Sequence, residues 1–237
     1  MLLRQVLFSQ GFGTRRECSG LIQHGLVAIA GQVVDDPDLE VPTDGLVFSV
    51  QGTEWAFQDK ALLMLHKPAG YECSRKPRHH PSVLSLLPAP LRAREVQPIG
   101  RLDEDTTGLL LLTDDGTLIH KLTSPKWHVP KVYQVTCAEA LTPRQIDDLR
   151  VGIVLHDDPL PVRPVACEAT GERQLCLTLA EGKYHQVKRM LAAVGNHVVA
   201  LHRSDFGALR LPADLAVGEW RWVEHAAIGA GLSMPRP

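Results

Sequence analysis

The sequence predicts an α+β protein made of two separately built units. Short helix and strand patterns follow one another along the chain, and strands that are apolar on both faces occur only after residue 60. The charge also changes: residues 1–58 have three basic and seven acidic residues, whereas the remainder has 22 basic and 20 acidic residues. We therefore place a small first unit at residues 1–57 and a larger second unit at residues 58–237.

The first unit begins with two helical segments. A short helix is predicted at residues 4–9. Thr14 is suited to cap a second helix, because Glu17 three residues later completes a capping box, and this helix ends at Gly25. Three short strands follow, at residues 26–30, 33–34 and 46–50. Two helices followed by small strands predict a compact α+β module.

The second unit combines buried strands with amphipathic helices. A strand at residues 61–65 is apolar throughout, and another at residues 108–113 is rich in leucine. Alternation predicts a strand at residues 131–137 with Tyr133 on one of its faces. The other predicted elements are a short helix or turn at 82–87, helices at 117–122, 143–152 and 184–194, and strands at 162–166 and 174–179. After Val223 the tail is rich in small residues, and we expect it to fray.

Composition argues against several classes of protein. The formal net charge of −2 argues against a polybasic protein that coats nucleic acid through charge alone. No apolar run approaches the ~20 residues that span a bilayer. The five cysteines contain no CxxC pair, which favours free thiols in a reducing cytoplasm. The 11 histidines show neither an HExxH motif nor zinc-finger spacing. We therefore expect a cytoplasmic protein without a membrane segment or a bound metal.

An acidic cluster formed by Asp103, Glu104 and Asp105 precedes the strand at residues 108–113. Loops collect Asp for turn reasons, so a structural role is the first interpretation. A carboxylate that leads into a buried strand is also held rigidly, and it needs a nearby cation to stay ionised when it is partly desolvated. Paired carboxylates could also serve a glycosidase. The residues alone leave these alternatives open.

A basic cluster lies at the start of the helix predicted at residues 184–194. Lys183, Lys188 and Arg189 place three cations near a helix N-terminus that is already electropositive. This arrangement indicates that the start of the helix binds an anion, either a phosphate or a catalytic carboxylate. A solvated polar face is the alternative for Lys183 and Arg189. Lys188 adjoins the apolar stripe of the helix, so it is the better candidate for an inward-directed role.

Two further segments could contact a ligand. The proline-rich loop at residues 75–81 begins with Arg75, and its basic groups could contact phosphates, although a simple solvated loop is equally compatible. Tyr133, taken alone, is more often a core aromatic residue than a catalytic one. No P-loop, GxGxxG or GxSxG motif occurs in the sequence. The sequence therefore contains no motif that would support nucleotide hydrolysis, dinucleotide binding or serine-hydrolase chemistry.

Together these segments resemble the RNA pseudouridine synthases. The stretch GRLDEDTTGLLLLTDDG at 100–116 is similar to the family signature, KVYQV at 131–135 to the strand that carries the family tyrosine, and EGKYHQVKRMLAAVGNHV at 181–198 to the third motif. KPAGYECS at 67–74 and HPSVLSLLP at 80–88 resemble the opening of the same catalytic domain. Residues 1–57 resemble the alpha-L RNA-binding domain that precedes it. The resemblance implies a mixed, mostly antiparallel sheet flanked by helices.

The same resemblance implies that the chain isomerises a uridine of 16S rRNA, at position 516, to pseudouridine without a cofactor or metal. Asp103 would be the catalytic residue, acting by attack on the sugar or by proton abstraction next to it. Lys188 would pair with Asp103 and keep it ionised. Tyr133 would stack on the uracil, and Arg101 would help displace the target base from its RNA stack.

Other residues of the matching motifs are predicted to contact RNA. In the acidic first unit, Arg15 and Arg16 at the start of the second helix are the predicted phosphate contacts. In the second unit, the predicted contacts are Lys67, Arg75, Lys183, His185, Gln186 and Arg189. We expect a monomer that binds rRNA, either free or in an assembly intermediate. Two alternatives stay open: a pseudouridine synthase for 23S rRNA of the large subunit, and a ribosome-assembly factor that binds RNA without activity.

Overall fold

The computed structural model describes residues 1–156 and 160–229, which fall into two compact units. The first unit comprises Met1–Ala61 together with Leu84–Gln97. The second comprises Leu62–Val83 and the described residues from Pro98 onward. The domain boundary between residues 57 and 58 stays a prediction. The sequence did not indicate that a later segment of the chain would return to the first unit.

The first unit combines helices with a four-stranded sheet. Its elements are α1 Leu3–Ser9, α2 Arg15–Gln23, β1 Val27–Ile29, β2 Gln32–Val34, β3 Val47–Val50, β4 Thr53–Ala56 and α3 Ala89–Ala93. The strands lie in the order β2-β1-β3-β4, and all neighbours are antiparallel. The predicted capping box of α2 is confirmed, since Thr14 and Glu17 each accept a hydrogen bond from the other's backbone N–H. Strand β4 was not predicted, because half of its residues are polar and exposed.

A buried amide explains why the returning segment belongs to the first unit. Gln10 is fully buried. Its side-chain oxygen accepts hydrogen bonds from Trp55 Nε1 at 3.4 Å and from Arg94 Nη1 at 2.8 Å. Arg94 also donates to the backbone carbonyl of Gln58 at 2.8 Å, and that same carbonyl accepts from Gln10 Nε2 at 3.0 Å. These contacts satisfy polar groups that would be costly to bury alone, and they tie Leu84–Gln97 to the N-terminal helices.

The second unit is built on a nine-stranded sheet. Its elements are β5 Leu62–Lys67, β6 Gln97–Pro98 at the junction of the units, β7 Thr107–Thr113, α4 Gly116–Thr123, β8 Lys131–Cys137, α5 Pro143–Val151, β9 Ala166–Gly171, β10 Gln174–Leu179, α6 Gln186–Ala193, β11 Val198–Phe206, β12 Leu209–Arg210, β13 Trp220–Trp222 and α7 His225–Gly229. The main path runs β13-β5-β7-β11-β8-β10-β9, and its only parallel pair is β7 with β11 among the described residues. The predicted α+β class with a mixed, mostly antiparallel sheet is confirmed.

The centre of this sheet is rigid because its strands are buried. Nearly every residue of β5 and β7 is buried, and Leu62, Met64, Leu109 and Leu111 pack in one apolar cluster. Strand β11 approaches β7 so closely at Gly108 that a Cβ atom there would lie 2.2 Å from a backbone oxygen of β11. Glycine is therefore required at this position. The loop that leads into β7 therefore ends at a well-anchored strand.

Three predicted elements differ in the structure. The strand predicted at 162–166 is wrong, because only an isolated bridge forms there and β9 begins where that strand was expected to end. The helix predicted from residue 184 begins at Gln186, since His185 adopts a left-handed backbone conformation with φ of 48°. Within the tail that was expected to fray, α7 is helical. Residues 230–237 lie outside the described residues.

The cysteines match the prediction made from composition. All five are free; four of them are buried, and Cys176 is partly exposed. Such thiols behave as small apolar core residues. Among the residues that the structure describes, no helix has the length and apolar character needed to cross a membrane.

Candidate active site

A pocket of about 80 Å³ lies where three segments of the second unit meet. The loop before β7 contributes Asp103, the middle of β8 contributes Tyr133, and the first turn of α6 contributes Lys188. These residues are far apart in the sequence, and the sheet brings them together. The three residues with predicted catalytic roles therefore share one pocket, while the roles themselves stay predictions.

The two carboxylate oxygens of Asp103 have separate partners. Lys188 Nζ lies 3.1 Å from Oδ2, and His185 Nε2 lies 3.3 Å from Oδ1. The Asp103 side chain is 24% exposed, so it is accessible from the pocket but is largely shielded from bulk water. Contacts at both oxygens restrict the orientation of the carboxylate, which lines the pocket. The ion pair with Lys188 that the resemblance implied is present.

Lys188 is shared between two carboxylates. Its Nζ donates to both oxygens of Asp105, at 2.7 and 2.9 Å, in addition to its contact with Asp103. Burial of Lys188 favours the neutral amine, but the hydrogen bonds and charges of Asp105 and Asp103 outweigh it and raise the pKa of Lys188. Burial likewise opposes ionisation of Asp105, yet the bond from Lys188 lowers the pKa of Asp105. The ammonium group therefore stays charged beside Asp103.

Tyr133 forms part of the pocket wall opposite the acidic loop. It is 8% exposed, and its alternation with exposed residues on β8 turns its ring toward the interior. The central strands on both sides hold it, because Tyr133 lies in register with Leu177 of β10 and Arg203 of β11. The pocket that Asp103 lines therefore includes one aromatic side chain whose position is held by the neighbouring strands.

The prediction that Lys67 binds RNA is corrected by its burial. Lys67 is fully buried at the end of β5. Its ammonium group donates to the backbone carbonyls of Pro68, Glu104 and Thr106 at 3.0, 3.1 and 2.7 Å. Burial lowers the pKa of Lys67. Lys67 therefore anchors the backbone of the acidic loop through hydrogen bonds and does not face RNA. The position of Lys67 at the end of an all-apolar strand is the sequence feature that could have indicated its burial.

Gln186 also turns inward. It is buried, its side-chain amide donates to Glu181 Oε1 at 3.1 Å, and its side-chain oxygen accepts the backbone N–H of Lys183 at 2.8 Å. These bonds close the turn before α6. Lys183 lies on the pocket wall and forms an ion pair with Glu181 at 3.6 Å. Gln186 acts as a structural support of the pocket, whereas the ammonium group of Lys183 remains at its rim.

A wider groove of about 700 Å³ adjoins the pocket. Basic side chains from the loop at residues 75–81 form one wall, and Arg101 lines both the groove and the pocket. Glu72 organises the loop, because its carboxylate accepts the backbone N–H groups of Arg78, His79 and His80 at 3.1, 2.8 and 2.9 Å. These bonds lower the pKa of Glu72 to about 2. The basic loop is therefore folded around a buttressing carboxylate, which the sequence did not indicate.

The remaining predicted RNA contacts lie at exposed or partly exposed positions. Arg75 is exposed on the basic loop. Arg189 is partly exposed and donates to the backbone oxygen of Tyr184 at 3.1 Å. In the first unit, Arg15 and Arg16 are exposed on the first turn of α2. All four could meet a phosphate, and their contacts with RNA stay predictions.

Two members of the site were missed in the sequence or were given another role. His185 was predicted only as an RNA contact, but its ring lies against Asp103, because its left-handed backbone turns it back over the pocket. Asp105 was recognised in the sequence as part of the acidic cluster, but no partner was predicted for it. The structure pairs Asp105 with Lys188, a residue 83 positions away. No local pattern reports a contact over such a separation.

Two family models match the chain. A model described as RNA pseudouridylate synthase matches residues 61–193. A model of the S4 domain matches residues 1–47. Their order is the one that the resemblance predicted for the two units.

Whole-chain comparisons extend this similarity. The ribosomal small subunit pseudouridine synthase A of Escherichia coli strain K12 is 40% identical over 220 residues, covering 90% of this chain and 92% of the relative. An uncharacterised RNA pseudouridine synthase of Bacillus subtilis strain 168 is 37% identical, covering 93% and 94%. A crystal structure of a pseudouridylate synthase superposes with a TM-score of 0.69 at 34% identity, covering 98% of this chain and 99% of that one.

Proposed function

The chain belongs to the RNA pseudouridylate synthase family, and we propose that it isomerises one uridine of small-subunit rRNA, position 516 of 16S rRNA, with Asp103 as its catalytic residue. The observation that carries the proposal is the geometry of Asp103, a largely shielded carboxylate that contacts Lys188 and His185 and opens onto the pocket. Similarity to the small-subunit enzyme of E. coli over 90% of this chain supports the choice of substrate.

The reaction requires a carboxylate beside the sugar. The bond between ribose C1′ and uracil N1 breaks, the uracil rotates, and C5 bonds to C1′ as the proton of C5 is transferred to N1. Substrate and product contain the same atoms in the same oxidation state, so the isomerisation needs no external electron or group donor. Asp103 either attacks C1′ or removes a proton next to it, and both routes need the ionised carboxylate that Lys188 supports.

The pocket must also retain the detached base. The target uridine has to leave its stack in the RNA, because a base inside a helix cannot reach a recessed carboxylate. In this proposal, Tyr133 packs against the extruded uracil, and Arg101 at the mouth of the pocket takes up the space that the base leaves in the RNA. Water exclusion is essential, since water at C1′ would cleave the glycosidic bond and release uracil.

The direct test uses rRNA fragments and an isosteric variant. Wild-type protein is incubated with a 16S fragment that contains the target and with 23S fragments, and pseudouridine is mapped by chemical modification and reverse-transcription stops. We expect one modified site in the 16S fragment. Asp103→Asn is expected to lower the rate by roughly 10³-fold or more, about 4 kcal/mol of transition-state stabilisation, while RNA affinity is retained.

Each rival outcome has a separate meaning. Modification of a 23S fragment alone would assign the chain to the large subunit instead. Binding without modification of any fragment would indicate an RNA-binding assembly factor. Near-normal turnover by Asp103→Asn would remove the catalytic assignment. Comparison of free 16S RNA with a partly assembled small-subunit particle then shows which of the two is the substrate.

A further inference from the structure

An exposed aromatic ring stands at the mouth of the candidate active site. Tyr184 is 75% exposed and lines the wide groove between the basic loop and the pocket. Its ring stacks on that of His185, with centroids 3.8 Å apart and an interplanar angle of 18°. One face of the tyrosine is therefore covered, and the opposite face is open to solvent. Single exposed apolar residues are common, but a flat ring stacked in parallel at a pocket mouth is a more specific arrangement.

Two contacts connect Tyr184 and its stacking partner to neighbouring residues. The backbone oxygen of Tyr184 accepts a hydrogen bond from Arg189 Nη1 at 3.1 Å. His185, which forms the base of the stack, contacts Asp103 Oδ1 at 3.3 Å. The tyrosine ring is thus connected to the carboxylate through one intervening imidazole. A planar group placed on its open face would therefore lie beside the residue, His185, that lines both the groove and the pocket.

The surroundings of the ring suit a nucleic acid strand. Lys76, Arg78 and Arg101 line the same groove and supply positive charge for a phosphate backbone. Extrusion of the target nucleotide leaves its neighbour in the strand without a stacking partner on one side. Proteins that bind single strands commonly replace the lost stacking with an aromatic side chain, which accepts any base.

We propose that the Tyr184–His185 stack is a base-stacking site for the unpaired nucleotide next to the target uridine. This inference rests on the proposed function, since it places the target uridine in the neighbouring pocket. The ligand is a nucleobase of single-stranded RNA, bound through its face and not through its hydrogen-bonding edge. The site consequently has little preference for base identity, and it contributes to affinity and placement of the strand.

The test combines protein variants with RNA that lacks single bases. Binding and turnover are measured on a 16S fragment with all bases present, and on two fragments with an abasic nucleotide immediately 5′ or 3′ of the target. We expect Tyr184→Ala to weaken binding of the intact fragment about 5- to 100-fold. Tyr184→Phe keeps the ring and is expected to bind as wild type does. On one of the abasic fragments, wild type and Tyr184→Ala are expected to bind equally.

A matched control is available in the same unit. Trp127 is 45% exposed and lies outside the groove, with Lys121 Nζ 4.8 Å from its ring centroid. Trp127→Ala is expected to leave the affinity for all three fragments unchanged. Equal losses from Trp127→Ala and Tyr184→Ala would show that exposed aromatic area in general, and not this stack, accounts for the effect.

The outcomes separate this inference from the proposed function. If wild type converts the uridine and Tyr184→Ala binds the intact fragment normally, the stacking site is overturned and the proposed function stands. The same conclusion follows if Tyr184→Ala loses the same factor on all three fragments, or loses turnover at saturating RNA without a change in affinity, because then Tyr184 only supports His185. If wild type converts no fragment, the proposed function itself fails.

Discussion

The two units of this protein differ in net charge and in the kind of residues that they bury. The first unit is acidic and small, and beside its apolar core it contains a fully buried glutamine, Gln10, that is hydrogen-bonded to Trp55 and Arg94. The second unit is nearly balanced in charge and is built on strands buried on both faces. Five of its basic side chains line one pocket and one groove: Lys76, Arg78, Arg101, Lys183 and Lys188. The contrast teaches that the local distribution of charge, and not its total, identifies a surface that fits RNA.

The largest effect on stability should come from the buried ammonium group of the second unit. Lys67→Met leaves the carbonyls of Pro68, Glu104 and Thr106 without their donor. We expect a loss of about 3 kcal/mol in the free energy of unfolding, measured by urea denaturation. The exposed Lys126 in the same unit is the control, and Lys126→Met should change nothing. A stable, fully active Lys67→Met protein would contradict the structural role of Lys67.

The next effect concerns catalysis in the second unit alone. Lys188→Met removes the cation shared by Asp103 and Asp105, and we expect the rate at saturating RNA to fall roughly 10²-fold with little change in affinity. Lys183→Met is the matched control, because Lys183 is on the same pocket wall but pairs with Glu181. It should weaken binding in a salt-dependent way and spare the rate. If Lys183→Met lowered the rate and Lys188→Met weakened only binding, Lys183 and not Lys188 would support catalysis.

A smaller effect should show whether the first unit contributes only to binding. The double variant Arg15→Ala, Arg16→Ala is expected to reduce the dependence of log affinity on log salt concentration by about two, one for each lost phosphate contact. The rate at saturating RNA should stay unchanged. Arg144→Ala provides a control, since Arg144 is an exposed arginine on α5. A fall in the rate at saturating RNA would show that the first unit contributes to catalysis as well as to binding.

The smallest effect concerns the order of the basic loop as the pH falls. The pKa of Glu72 is about 2, below its usual 4.5, so its bonds are fully present above pH 4.5 and are lost as the pH falls through 2. The amide NMR signals of Arg78, His79 and His80 should therefore shift with a midpoint near 2. Glu72→Gln should abolish that transition. A midpoint close to 4.5 would show that the loop is not held by this carboxylate.

Local features of the fold could be predicted from the sequence. The capping box of Thr14 and Glu17 was correct because both partners lie within one helical turn. The buried strand β7 was correct because a run of leucines needs two covered faces. The strand expected at 162–166 failed, since Pro164 within it has no backbone N–H to donate to a neighbouring strand. Local signals thus identified most elements, and errors arose where pairing decided the structure.

The candidate site divides in the same way. The motif resemblance singled out Asp103, Tyr133 and Lys188, and the structure places all three in one pocket. It did not indicate that His185 would lie against Asp103, since that contact depends on the left-handed turn before α6. It also misjudged Lys67. The type of residue was readable from the sequence, whereas the direction of each side chain was not.

By itself, the sequence determined the α+β class, the two units, the position of the acidic loop and the family resemblance. The first three follow from composition, periodicity and spacing, which act over a few neighbouring residues, whereas the family resemblance rests on the matching motifs. Only the tertiary structure decided that Lys67 is buried, that Lys188 joins Asp103 to Asp105, and that residues 84–97 return to the first unit. The physical reason is that burial and ion pairing depend on distances in space, which the folded sheet sets between residues far apart in the chain.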